Sequence, residues 1–294
     1  MIEKLEMFIS LAKEEHFGRA AEACNVTQPT LSAAIKQLED QLGVMLVWRG
    51  SRFQGLTPEG QRVLDWARRI VGDARSMKDE MRAAREGLSG NLRLAAIPTA
   101  LTVASRLTAR FVERHPNVRF TVQARTSQEI LHMLENLEID AGLSYLDNEP
   151  LGRVTAVPIY AERMSLILRK DHALADRETV RWSDLADVPL CLLTPDMQNR
   201  RIINQHLLKA GITPEPTVET SSTIVQISHV LTGKWATILP LQAIESFLPR
   251  DDLAVIPLIR PDAKNSVGLI AAHREPHTPV LAQLLHEARG MAEG

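Results

Sequence analysis

The sequence predicts an α/β protein carried behind an all-α N-terminal segment, and three observations predict it. Residues 1–58 fall into short amphipathic helices with tight breaks, residues 63–88 keep one unbroken period of 3.5, and the chain beyond residue 90 alternates strands with helices. At 294 residues, with 45% hydrophobic and 24% charged side chains, the chain has material for two or three cores and a globular rather than disordered composition.

The first segment reads as helices over about 2–14, 18–24 and 28–41. In the third, Leu31, Ile35, Leu38 and Leu42 recur at helical spacing and turn inward together, and Gly43 stops the helix. Its opposite face carries Gln28, Ser32 and Lys36, each four residues from the next, so that they stack along one outward line. An ordinary solvated helix carries Glu and Lys there, whereas this row is built mainly of small hydrogen-bonding groups. The stretch from Leu46 to Leu56 is apolar at both ends and turn-rich between, the pattern of a small hairpin.

Thr57-Pro58-Glu59 opens a long helix, with Pro in its first turn. Val63, Ala67, Ile70, Ala74, Met77, Met81, Ala84 and Leu88 then alternate spacings of four and three, the seam of a coiled coil that pairs with a copy of itself. A plain amphipathic helix docked on its own chain is the alternative. Gly87 and Gly90 end the helix and supply a hinge.

Strands are expected at 92–97, 118–123 and 139–144, with helices at 100–114 and 127–137 between them, a βαβαβ order that implies a mostly parallel sheet. A second such unit has strands near 164–168, 189–193, 216–219 and 236–239 and helices near 198–210 and 223–232. The strand at 267–272 and the helix at 277–292 return to the first unit. Two α/β lobes then join through crossings near 161–164 and 265–268, and a cleft lies between them.

Net charge is −2, and residues 1–90 hold 13 Lys and Arg against 13 Asp and Glu, so no bulk basic surplus marks a nucleic-acid binder. Residues 43–58, however, contain Arg49 and Arg52 and no acid, which leaves a local basic edge. The two cysteines, Cys24 and Cys191, stand far apart with no CxxC or Cys/His cluster, and are expected as reduced, buried thiols. His115, His132, His206 and His229 are scattered. No HExxH, GxSxG or GxGxxG after a strand is present, and Thr232-Gly233-Lys234-Trp235 lacks the residues of a phosphate-binding loop, so the chain is not expected to be an enzyme and no cofactor or metal is expected. No apolar run reaches membrane-spanning length and the N-terminus is broken by charges, which predicts a cytoplasmic protein with no membrane partner.

The N-terminal residues His16-Phe17-Gly18-Arg19-Ala20-Ala21, Val26-Thr27-Gln28-Pro29-Thr30-Leu31-Ser32, Ile35-Lys36-Gln37-Leu38-Glu39, Leu42-Gly43 and Leu56-Thr57-Pro58-Glu59-Gly60 closely resemble, in order and spacing, the winged helix-turn-helix domain of LysR-type transcriptional regulators. The remaining organisation also resembles that family, which extends the resemblance over essentially the whole chain. Cys24 stands where the family has Leu, Val47 where Phe is common, and Trp235 where a second Gly is usual. The resemblance implies a winged helix-turn-helix domain over 1–58, a dimerising linker helix and hinge over 59–90, and over 91–294 a two-lobed, periplasmic-binding-protein-like (type 2) effector domain. Lobe I is then 91–163 with 268–294, and lobe II is 164–267.

On that reading the outward row of the third helix meets base edges. Gln28 contacts adenine, Ser32 a base or phosphate, Pro29 and Ala33 thymine methyls, and Lys36, Thr27 and Thr30 complete the contact set. Arg49 and Arg52 on the wing reach the backbone or an adjacent minor groove. In the effector domain the matching positions are Thr99, Ala100, Ser127, Met197, Asn199 and Arg200. Hydroxyls and helix starts favour anions, so a small organic acid is the expected effector. The plainer alternative has Thr99 and Ser127 as helix caps and Arg200 paired with a surface acid. The resemblance further implies an interrupted palindrome in promoter DNA, a dimer assembled into a homotetramer, and RNA polymerase as partner. Two other functions are weighed: a solute-binding protein, for which residues 91–294 alone could pass, and a ligand-dependent accessory protein of an enzyme.

Overall fold

The computed structural model describes residues 1–48, 53–245, 251–262 and 264–292. It contains two compact units, one centred on Met1–Leu88 and one on the chain from Ser89 onward.

The first unit holds α1 (Ile2–Glu14), α2 (Phe17–Ala23), α3 (Gln28–Leu42) and α4 (Pro58–Glu86). Each break has a local cause. His16 Nδ1 accepts from the Gly18 and Arg19 amides at the start of α2, Thr27 caps α3, and Gly43, in the left-handed region at φ 70°, ends it. Thr57 caps α4 through the Gly60 amide at 2.8 Å and donates to the Met45 carbonyl at 2.5 Å. Gly60 is required here, because a Cβ would stand 2.0 Å from the Leu46 carbonyl oxygen. Leu5, Phe8, Leu11, Leu31, Ile35, Leu38 and Leu46 form the core, joined by Leu64, Ala67 and Val71 of α4.

Two sequence expectations change in this unit. Leu42 does not turn inward with Leu31, Ile35 and Leu38: it lies on the last turn of α3, past the core, and is exposed. In α4, Ala67 leaves the expected seam and is buried within its own unit, while Ile70, Met77 and Met81 stay exposed and Trp66 joins them at 61% exposure. The first half of α4 is thus core, and the apolar stripe that remains outward is Trp66, Ile70, Met77 and Met81.

The second unit holds β1 (Gly90–Ala96), a single 3-10 turn (Pro98–Ala100), α5 (Leu101–Arg114), β2 (Val118–Ala124), α6 (Ser127–Glu135) and β3 (Ala141–Tyr145). These are followed by β4 (Val154–Arg169), β5 (Val180–Arg181), β6 (Cys191–Leu193), α7 (Gln198–Lys209), β7 (Val218–Thr220), α8 (Thr223–Leu231) and β8 (Thr237–Pro240). The last elements are α9 (Leu241–Ile244), β9 (Leu253–Ile259), β10 (Lys264–Ala272) and α10 (Pro279–Ala292). In lobe I, β1 pairs in parallel with β2 and β3, and β10 runs antiparallel to both β3 and β4. In lobe II, β4 pairs antiparallel with β8 and β9, β5 joins β9, and β6 pairs with β7.

One 16-residue strand, β4, therefore serves both lobes: residues 154–163 pair with β10, and 164–169 pair with β8 and β9. The sequence expectation recognised only its second half, because Pro158 breaks the alternating pattern of the first. The other crossing lies between Ile259 and Lys264 rather than near 265–268, since Lys264, Asn265 and Ser266 already pair with Arg163, Glu162 and Ala161. Strand β9 escaped the sequence reading because Pro257 interrupts LAVIPLI; the proline sits at an exposed position of the strand.

Candidate functional site

In the first unit the geometry gathers around α3. Thr27, Gln28, Pro29, Thr30, Ser32, Ala33 and Lys36 are all exposed, while Leu31, Ala34, Ile35 and Leu38 face the core. Pro29 lies in the first turn, where a missing N–H costs nothing, and the Thr27 and Thr30 hydroxyls bond each other at 2.8 Å. The turn into this helix is tight: Asn25 takes φ 55° and the Val26 amide bonds the Ala21 carbonyl at 2.9 Å. Beyond α3, Val47 and Leu56 form an antiparallel bridge, and the Trp48 amide bonds the Gly55 carbonyl at 3.1 Å, the base of a wing. Glu39 fastens that wing to α3, because its buried Oε1 accepts from the amides of Leu46 at 2.8 Å and Val47 at 3.3 Å. Arg49 and Arg52 lie outside the described residues.

In the second unit, a buried polar group assembles where the strands cross between lobes. The 3-10 turn after β1 and the end of β3 bring Thr99 and Tyr145 to the carboxyl ends of adjoining parallel strands, the usual place for ligands in such sheets. The Tyr145 hydroxyl donates to Glu162 Oε1 on β4 and accepts from Asn199 Nδ2 in the first turn of α7 at 3.1 Å. Tyr145 and Glu162 thus come from lobe I and Asn199 from lobe II. Thr99, Tyr145, Glu162 and Asn199 are each at most 3% exposed, with Thr99 beside the Tyr145 hydroxyl, yet Glu162 Oε2 and Asn199 Oδ1 have no hydrogen-bond partner among the described residues. Burial pushes the Glu162 carboxyl up to about 8, against the pull of the Tyr145 bond, with Asp147 adding to the rise. Burial and then the Glu162 charge raise the Tyr145 phenol as well.

The expected effector positions divide. Thr99 and Asn199 enter this group. Thr99 caps no helix among the described residues, and Ala100, buried beside it, is the residue before α5. Ser127 is buried but is not the cap of α6: Thr126 and Glu129 bond each other's amides there, and Ser127 Oγ accepts from Arg201 at 3.4 Å. Met197 is buried just before α7, which no side chain caps among the described residues. Arg200 is not brought to the group. Its guanidinium is held within lobe II by the Leu193 carbonyl, Asn204 and Glu219, each at 2.7 Å. Its neighbour Arg201 spans the lobes instead, with a bidentate pair to Glu149 at 2.7 and 2.9 Å.

Comparison with known proteins accords with both halves of this geometry. Residues 2–61 match the bacterial regulatory helix-turn-helix protein, lysR family, and residues 85–293 match the LysR substrate binding domain. The chain belongs to the LysR family of transcriptional regulators. It is 29% identical over all 294 residues to the DNA-binding transcriptional dual regulator OxyR of Escherichia coli K12, covering 96% of that protein. It is 31% identical to a probable hydrogen peroxide-inducible genes activator of Mycobacterium avium, over 90% of this chain and 86% of the relative. A solved full-length OxyR variant from Pseudomonas aeruginosa superposes with a TM-score of 0.76 at 27% identity, over 98% of this chain and 94% of the other.

As a LysR-family regulator, the protein binds DNA through its helix-turn-helix unit and carries a two-lobed ligand domain. Sequence reading missed Tyr145, Glu162 and Arg201 in that domain. Tyr145 lies in an unremarkable apolar strand and Glu162 in the half of β4 hidden by Pro158, so neither carried a local signal. The sequence does not distinguish Arg201 from Arg200, because helical phase alone does not say which of two adjacent arginines faces the other lobe. The Trp235 departure is accommodated by an edge-on ring contact with His229 at 5.3 Å.

Proposed function

We propose that this regulator reads an interrupted palindromic promoter site through α3 and the wing, as a dimer joined along α4 and assembled as a dimer of dimers, and that a small molecule held between the lobes changes the bend it imposes on DNA. Thr27, Gln28, Pro29, Thr30, Ser32, Ala33 and Lys36, with Arg49 and Arg52 of the wing, form the DNA-contact set. RNA polymerase in the cytoplasm is the downstream partner on this reading. The observation that carries the effector role is the buried group of Thr99, Tyr145, Glu162 and Asn199, which joins the two lobes and leaves polar atoms unsatisfied among the described residues. A ligand that completes those bonds prefers one lobe arrangement, and such a preference is what couples binding to DNA geometry.

The peroxide-inducible relatives raise a second trigger, oxidation of a thiol. Such a sensor needs an accessible thiolate. Cys191 is fully buried and its thiol is pushed up by burial to about 11, and Cys24 belongs to the helix-turn-helix unit. These facts favour a bound effector over cysteine oxidation. A small organic acid finds one feature to its benefit, the uncapped start of α7, and two against it: Arg200 and Arg201 are tied to other groups, and the central side chain is an acid. A solute-binding protein is disfavoured by the attached helix-turn-helix.

The test is binding of the full chain to its own upstream duplex against a scrambled duplex, with footprinting and bend analysis. Gln28→Ala is expected to lose roughly 1–3 kcal/mol of specific binding while non-specific affinity holds. Equal discrimination in wild type and variant removes Gln28 from the readout set.

A further inference from the structure

Among the described residues Glu162 is fully buried with no Lys or Arg beside it, whereas the buried Glu287 is paired with Arg110 and Arg114. Strand register places its surroundings. Glu162 faces Asn265 across β4 and β10, and Tyr160 and Tyr145 both lie opposite Val267, so Tyr145, Tyr160, Glu162 and Asn265 share one face of the sheet. Asn199 and Met164 belong to lobe II and touch each other, with Asn199 Nδ2 3.7 Å from the Met164 sulfur. The Tyr145 proton is committed to Glu162 Oε1. Its oxygen therefore accepts from Asn199, which fixes that amide so that Oδ1 is the atom left over.

Two buried oxygens are left without a hydrogen-bond partner among the described residues, Glu162 Oε2 on the strand and Asn199 Oδ1 on α7. The charged and titratable groups that act on Glu162 are Tyr145 and Asp147, with Tyr160 beside it. Arg106 and Glu245, ion-paired at 3.0 Å, act on Tyr160. Neither Lys nor Arg neutralises Glu162 among the described residues. Burial favours the neutral carboxyl, with its proton on Oε2 because Oε1 accepts from Tyr145, and what can replace that proton is another cation. The phenols of Tyr145 and Tyr160 and the Met164 thioether, on the same face of the sheet as Glu162, are the soft neighbours that an organic cation favours.

We propose that the effector is a small organic cation whose ammonium group binds between Glu162 and Asn199, with its apolar body against Tyr145, Tyr160 and Met164. This rests on the reading of the cleft as an effector site and replaces the organic acid with an amine. The binding step balances simply: Glu162 releases its proton to solvent, and the ammonium takes its place.

Thermal-shift and calorimetric titration of the full-length chain tests this with two size-matched probe sets. One set contains butylamine, phenethylamine, putrescine and agmatine, and the other contains butyrate, phenylpropionate and succinate. The expected result is stabilisation by an amine, release of a proton on binding, and affinity that rises about tenfold from pH 6.5 to pH 8 as the carboxyl gives up its proton more readily. In Glu162→Gln that affinity falls at least tenfold and its pH dependence disappears. Should this variant fail to fold, Asn199→Ser, on the other lobe, is expected to weaken the amine about tenfold. Stabilisation by a carboxylate, with equal affinity in wild type and Glu162→Gln, overturns the proposal and leaves the cleft reading standing. Stabilisation by no probe of either set overturns the cleft reading and the proposal with it.

Discussion

Glu39 and Glu162 are both buried acids, and the partners available to each decide what it does. Glu39 spends one oxygen on two amides of the wing, so its cost of burial is offset by bonds that hold α3 and the wing in one arrangement. Replacing it with Ala leaves the Leu46 and Val47 amides without that acceptor. Glu39→Ala is expected to destabilise the helix-turn-helix unit by about 1–3 kcal/mol in chemical denaturation, with the transition of the ligand domain unmoved. A single shared transition that shifts as a whole would contradict it. Glu162, by contrast, has one neutral donor and one oxygen with nothing to bond among the described residues. The outward row of α3 was legible from residue types alone, since helical phase sets the face and small polar groups set the chemistry. The identity of Glu162 as a site residue was not, because its meaning comes from what surrounds it.

At the scale of elements, α4 is the instructive case. A 3.5-residue period in the chain reports that apolar groups share a stripe, and it does not report which chain covers them. The structure divides the stripe: Ala67 leaves it to join Leu64 and Val71 in the unit's own core, while Met77 and Met81 remain 57% and 61% exposed. Large apolar side chains left outward on a 29-residue helix are the natural contact for a second copy. Met77→Lys combined with Met81→Lys is expected to weaken self-association roughly tenfold or more in sedimentation, given the apolar burial lost, while helical content stays constant. Undiminished dimer would move the interface elsewhere. Strands β4 and β9 make the complementary point. Each contains a proline that spoils the alternating pattern, and each is nevertheless a strand, because pairing partners on the neighbouring strands hold the backbone extended.

At the scale of the whole ligand domain, the two lobes are tied by one continuous strand and by side chains on either side of it. Arg201 to Glu149, Gln198 to the Asp147 carbonyl at 3.1 Å and Thr102 to the Gln242 carbonyl at 2.6 Å all link lobe I to lobe II. Arg201→Ala removes a partly buried bidentate pair worth roughly 0.5–1 kcal/mol, so exchange of amide hydrogens along residues 160–164 is expected to quicken roughly twofold to fivefold. Unchanged exchange would mean that the strands alone set the opening. The order of helices and strands, the helix-turn-helix unit and the expectation of two lobes with a cleft could all be read from the chain, because periodicity and capping act over a few residues and survive without context. Which arginine crosses the cleft, which half of α4 stays outward, and which acid stands unpaired between the lobes were decided only when distant segments met. Burial and partnership are properties of the assembled surface, and the short windows over which periodicity and capping act do not reach the 17 positions from Tyr145 to Glu162 or the 54 from Tyr145 to Asn199.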